Sequence, residues 1–409
     1  MVTLVLAAAW FFSSPVLAAE HMFTPRVSLG TVYDDNIFFD EKSDAEFTLS
    51  PAFSYRYALE DLEAEVSAEV DVIRYPDHDE YDRENQLYSL ATRYGLSDLA
   101  SLSFQGSLRL DNTFDERLEE TGEVTDKQER TQVTLNPGVE FILTERDRLN
   151  IEVSLTDTDY ERSEDTDRRD YTAYTLGLTL IHAWTPRTSL LLAGSASQVD
   201  VEDEKRSVSG VTIGQFDQTQ QSFQATVGVE HAWSDNVTFS ASAGGSYSRS
   251  EYELRGLDPR FLPVFAVPVE DDVDEDSFGG VFDVGLTWEQ ELFTLTAGAS
   301  RSLTQDADGE NITRDRLDSS LNVRLSENLR WTLGGAYVTS ETAEDSGDGG
   351  DTLDTTRIAA RTALTYILSR RADLSLRYRY TDIDDRSDND DDSRNRVGLW
   401  FTYRYPIQL

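Results

Sequence analysis

The feature that most constrains this chain is a strict two-residue alternation of apolar and polar side chains. Leu62-Glu-Ala-Glu-Val-Ser-Ala-Glu-Val-Asp-Val72 is the clearest stretch, with every even position apolar and every odd one polar. Successive side chains of a strand point to opposite faces. One face of this segment is therefore oily, and the other carries Glu63, Glu65, Glu69 and Asp71. A slip of one residue would exchange the two faces, so the register is fixed. Residues 237–247 and 397–405 alternate in the same way. Eighteen such segments are legible, from 23–33 to 396–409, among them 188–198, 221–233, 237–249 and 279–288.

The connections between segments fall into two kinds. Every second one is a tight turn, as at Glu60-Asp61, Ser97-Asp98, Thr185-Pro186-Arg187 and Ser234-Asp235-Asn236. The intervening ones, such as 113–129, 199–218, 339–355 and 382–394, are long, acidic and rich in Gly, Asn and Ser. Strict alternation of short and long connections describes an all-β, up-and-down antiparallel transmembrane barrel of about 18 strands. Its short turns would face the periplasm and its long acidic loops the exterior.

Composition fits that reading. The chain is 39% hydrophobic and 28% charged, with a mean hydropathy of −0.47. Beyond residue 18 it has no apolar run near the ~20 residues of a spanning helix. A barrel puts only alternate residues into lipid, so it can be polar on average and still span a membrane. A net charge of −41 excludes nucleic acid as a partner, because phosphate binding needs clustered Lys and Arg. With no Cys, the chain has no disulfide, lipid-anchor or haem-attachment chemistry. Residues 2–12 are apolar and Val16-Leu17-Ala18 offers a small-residue cleavage site, although no Lys or Arg precedes them. Residues 1–18 are therefore expected to be a signal peptide, and residues 19–409 the barrel, exported to a Gram-negative outer membrane.

Aromatic residues mark the expected boundary with lipid headgroups. Tyr57, Tyr94, Trp184, Trp233, Trp288 and Trp331 lie beside short turns in the lipid-facing phase. The opposite phase lines the lumen. There the basic residues are Arg26, Arg56, Arg93, Arg109, Arg324, Arg330, Arg361, Arg377, Arg379 and Arg404. Because the last strand must pair with the first, these arginines form a nearly continuous basic wall, opposed by Glu63, Glu65, Glu69 and Asp71. Such a wall can orient solutes and set ion selectivity. The same residues can also simply neutralise one another across strands.

One loop is unlike the others. Residues 257–269 contain Leu257, Phe261, Leu262, Pro263 and Phe265 between acidic flanks at 251–255 and 270–276. Exposed apolar segments bury themselves or bind something. This loop is the expected constriction or gate of the pore, with a docking edge for a partner as the alternative.

No cofactor, metal or catalytic constellation is expected. The Asp-rich segments 306–310 and 382–392 lack a full calcium-loop spacing and read as solvated surface, bridged to lipopolysaccharide by divalent ions at most. His182 and His231 recur in two His-Ala-Trp endings and read as interfacial packing.

The first strand ends in Gly30-Thr-Val-Tyr-Asp-Asp-Asn-Ile-Phe38. With the hairpin series that follows, this resembles the proteobacterial putative β-barrel porin family, whose members are often encoded with exopolysaccharide genes. The resemblance implies a channel or porin, either a conduit for exported polysaccharide with a periplasmic export protein as partner or a route for passive diffusion of polar solutes. The last strand, through Phe401, Tyr403 and Tyr405, is similar to the insertion signal of outer-membrane barrels, which implies contact with the barrel-assembly machinery. A surface structural or adhesive barrel is the alternative, and an enzyme is disfavoured.

Overall fold

Alternating segments become paired strands throughout the chain. The computed structural model describes residues 19–112, 128–161, 169–208, 211–257, 268–305, 311–342, 354–385 and 390–408. The first nine strands are β1 (Glu20–Asp34), β2 (Asp44–Ala58), β3 (Leu62–Arg74), β4 (Arg83–Ser97), β5 (Ala100–Asn112), β6 (Glu129–Ile142), β7 (Asp147–Tyr160), β8 (Tyr171–Thr185) and β9 (Thr188–Val208). They are followed by β10 (Val211–Ser234), β11 (Val237–Leu257), β12 (Pro268–Glu289), β13 (Phe293–Gln305), β14 (Asn311–Arg324), β15 (Leu329–Thr342), β16 (Asp354–Ser369), β17 (Ala372–Asp385) and β18 (Asp390–Arg404). Each pairs antiparallel with its neighbours in sequence, and β1 pairs with β18 from Arg26↔Arg404 to Asp34↔Arg396. That seam closes the sheet. Past Tyr405 and Pro406, Ile407–Gln408 continues it against Phe23 and Met22. The result is a closed 18-strand antiparallel barrel.

Eighteen strands ~4.8 Å apart and tilted by roughly 40° give a backbone diameter of about 35 Å, too wide for side chains to fill. Burial is correspondingly inverted. Among the described residues, twelve buried side chains are apolar and twenty-four are polar or charged. The outward phase keeps Leu29, Phe47, Leu49, Leu192, Val227, Leu376 and Leu399 exposed. An apolar belt of this size belongs in lipid, not water. The inward phase is knitted by cross-strand hydroxyl pairs, Ser67 to Ser89 and Ser197 to Ser222 at 2.6 Å each.

Two expected loops are largely strand. Residues 199–208 and 211–218 continue the β9–β10 pairing, and 251–257 pairs with 268–274 at the outer end of β11–β12. Likewise β17 runs to Asp385 and β18 starts at Asp390, inside the expected 382–394 loop. The reason is physical. Above the membrane both faces of a hairpin are wet, so the apolar alternation stops while the backbone ladder continues. The expected leader 1–18, the loop tip containing Phe261, Leu262, Pro263 and Phe265, and segment 306–310 lie outside the described residues. Leu257 ends β11, opposite Pro268.

Candidate functional site

The lumen is the site, and strand phase decides what lines it. Arg26, Arg109, Arg377, Arg379 and Arg404 surround a cavity of about 770 Å³ together with Glu69 and Asp71. Arg56 and Glu63, Arg93 and Glu65, and Arg324, Arg330 and Arg361 occupy the same phase of their strands. Several form cross-strand pairs: Arg26–Glu69 at 2.8 Å, Arg56–Glu63 at 3.7 Å, Arg93–Glu140 at 3.4 Å, and Arg404 with Asp373. Their partners are one-third or more exposed in the first two pairs, so each contributes little to stability and remains hydrated. Trp400 also faces the cavity. Its ring packs over Gly30, where a Cβ would lie 2.6 Å from an indole carbon, and the Arg377 guanidinium sits 4.8 Å from its centre.

The aromatic residues expected at the headgroup boundary occupy the opposite phase. Trp184 and Trp233 are 64% and 76% exposed, and Tyr94 and Trp288 are also exposed. Tyr57 pairs with His21 and Ala64 on the outer face. Trp331 donates its indole N–H to Thr362 Oγ1 at 2.8 Å. His182 meets Asp147 at 2.7 Å and His231 meets Thr188 at 3.0 Å, each with a tryptophan ring edge-on. The two imidazoles thus have separate partners beside separate turns.

The sequence reading missed an inward-folded outer connection. Residues 35–43, between β1 and β2, contain a short 3-10 turn, Ile37–Phe39, whose three side chains are buried. Ile37 and Phe38 pack with Ile73, Tyr75 and Tyr81, and Phe39 packs on Ile383. The Phe38 ring lies between the guanidinium groups of Arg83, at 4.9 Å, and Arg394, at 4.7 Å. Ile73, Arg83, Ile383 and Arg394 all stand on the lumenal face of β3, β4, β17 and β18. The loop therefore covers the inner wall of six adjacent strands at the outer end of the barrel.

Its backbone is costly. Phe38, Phe39 and Glu41 have φ of 50°, 65° and 52°, the left-handed region that side chains other than glycine avoid. Polar contacts hold it there. The Asn36 side-chain amide donates to Ser393 O at 3.0 Å, and its Oδ1 accepts from the Glu41 N–H at 2.8 Å. Beneath the loop a buried ion network crosses the seam. Arg394 donates to Asp34 at 3.0 and 3.1 Å, Arg396 lies 3.3 Å from Asp34 and 2.5 Å from Glu46, and the Tyr75 hydroxyl donates to Glu46 at 2.8 Å. The signal that could have found the loop was its apolar triplet, Ile37-Phe38-Phe39, standing between acidic residues.

A second clasp joins this loop to the β3–β4 connection. Lys42 Nζ donates to Asp40 Oδ2 and to the Tyr81 hydroxyl, each at 3.0 Å, and Tyr81 donates to Asp40. The Tyr81 and Lys42 hydrogen bonds hold the Asp40 carboxyl below its ordinary range. The bonds to Tyr81 and Asp40 raise the Lys42 ammonium, and burial raises the Tyr81 phenol. A lowered carboxyl adds stability above its unfolded pKa and loses it as pH falls. The raised groups add stability below theirs and lose it as pH rises. The clasp is therefore complete between roughly pH 4 and pH 10. Current through the barrel should be quiet in that window and flicker below it, and Asp40→Asn should bring the flicker to neutral pH. Equal noise at pH 3 and pH 7 would contradict this.

The ferric yersiniabactin uptake receptor of Yersinia pestis superposes with a TM-score of 0.52 at 10% identity, over 96% of this chain and 81% of that one. The ferric-catecholate import receptor Fiu of E. coli K12 gives 0.53 at 8% identity, over 96% and 82%. At such identity the likeness concerns the fold alone. No curated protein matches the sequence. Residues 17–214 match the family described as "Putative beta-barrel porin 2", the one that the Tyr33–Phe38 segment resembles, and with the closed barrel this makes the chain an outer-membrane, porin-like β-barrel.

Proposed function

We propose that this barrel is a channel for polar and charged solutes, narrowed at its outer end by the loop of residues 35–43. The observation that carries the reading is the charged lumen, one part of which is a cavity of about 770 Å³ lined by seven arginines and five carboxylates. Side chains of this kind, most of them left partly exposed inside a wide barrel, hold water and orient solutes. The finer form of the proposal is that the solute is an exported polysaccharide, with a periplasmic export protein below the barrel. It rests on the Tyr33–Phe38 resemblance. Export through the leader 1–18, assembly by the barrel-assembly machinery, and seating of the Tyr57, Tyr94, Trp184, Trp233, Trp288 and Trp331 rings at the lipid and lipopolysaccharide boundary belong to the same reading. Proteoliposomes carrying the refolded barrel should swell in small neutral sugars, more slowly as the sugar lengthens. Absence of swelling with every sugar would overturn the proposal.

A further inference from the structure

Strand register sorts the lumenal arginines of β14–β17 into levels. Arg324 faces Arg330 next to the inner turn. Four residues further out, Gly334 pairs with Arg361, and Arg361 with Arg379. Four residues beyond that, Val338 pairs with Arg316 on one side and Arg357 on the other. At a rise of ~3.3 Å per residue, successive levels are about 13 Å apart along the strands. Arg377 lies between the lower two. Among the described residues, the inward phase of these four strands carries eight arginines against three aspartates.

The side chains of Arg324, Arg330 and Arg361 make no hydrogen bond or ion pair among the described residues. Gly334 leaves room for one of them, since a Cβ there would lie 2.7 Å from Arg361 Nε. Like charges directly opposite on neighbouring strands are destabilising. Yet Arg324 opposes Arg330, and Arg361, Arg379 and Arg396 form a row across three strands. Two of the four lumenal carboxylates of β3, Glu69 and Glu63, are already paired with Arg26 and Arg56.

From this geometry, and resting on the channel reading above, we infer a solute class: an extended polyanion whose charges are oxyanions, guided along an arginine ladder on the β14–β17 wall. A guanidinium fork matches carboxylate and phosphate oxygens alike. A small anion meets one level at a time, whereas a chain of linked charges spans two or three and gains from each contact.

The test uses the refolded full-length barrel in detergent, with calorimetric titration of hexagalacturonate, a linear hexaphosphate and neutral maltohexaose. At least one polyanion should bind about tenfold more tightly than maltohexaose and weaken steeply with salt. The triple variant Arg324→Gln/Arg330→Gln/Arg361→Gln, verified as folded by its circular dichroism, should lose that margin. The more tightly held polyanion identifies the charged group. Equal binding of charged and neutral hexamers, or a margin untouched by the triple variant, would overturn the ladder. Current block by the same probes in a planar bilayer separates the two claims. Polyanion binding to a barrel that never conducts would refute the channel reading and leave the ladder standing.

Discussion

Replacing residues 36–42 with a short Gly-Ser linker should raise single-channel conductance by about twofold or more. The loop occupies lumen that the strands would otherwise leave to water. It contacts the inner faces of β3, β4, β17 and β18, and Ile37, Phe38 and Phe39 are each no more than 9% exposed. Three residues at positive φ cost about 1–2 kcal/mol each. A connection strained in this way stays inward only because its apolar side chains and the Asn36 bonds hold it there. Phe38→Ala should give a smaller rise with visible flicker, since it removes the ring between Arg83 and Arg394 while keeping the chain length. An unchanged conductance in the linker variant would show that current is limited elsewhere.

Asp34→Ala should be the most destabilising single change, costing about 3–5 kcal/mol. Asp34 is fully buried and Arg394 is 3% exposed. Removing the carboxylate strands the Arg394 guanidinium without its counter-charge and deprives Arg396 of one of its partners. The position magnifies the effect. Asp34 is on β1 and both arginines are on β18, so the pair fastens the seam that closes the barrel. Urea unfolding in detergent, followed by tryptophan emission, measures the loss. The double change Asp34→Ala/Arg394→Met should recover most of it, because it removes both buried charges instead of one. A double variant no more stable than the single would contradict the assignment.

Much of the barrel was legible because lipid imposes a rule that sequence must obey. In β3 the alternation from Leu62 to Val72 leaves one possible register, and the structure adopts it. The rule ends where lipid ends. Residues 200–208 and 268–276 show no apolar alternation, and nothing in their side chains distinguishes a wet strand from a wet loop. The inner constriction was hidden for a different reason. Ile37, Phe38 and Phe39 are only three residues and could be read as the end of a strand. What buries them is long-range, namely Arg83, Tyr81, Ile383 and Arg394 from three other parts of the chain. The lumenal charges were visible as a phase, but not which of them would pair. Arg26 finds Glu69 across β2, while Arg361 stands in register with Arg379, over Gly334, and has no ion pair among the described residues.

Single-channel recording of the refolded barrel in a planar bilayer tests the central claim most directly. It predicts steady openings in the full-length protein, larger ones when the 36–42 loop is replaced, and a reversal potential in a salt gradient that favours anions. A barrel that stays silent both with and without the loop would contradict it.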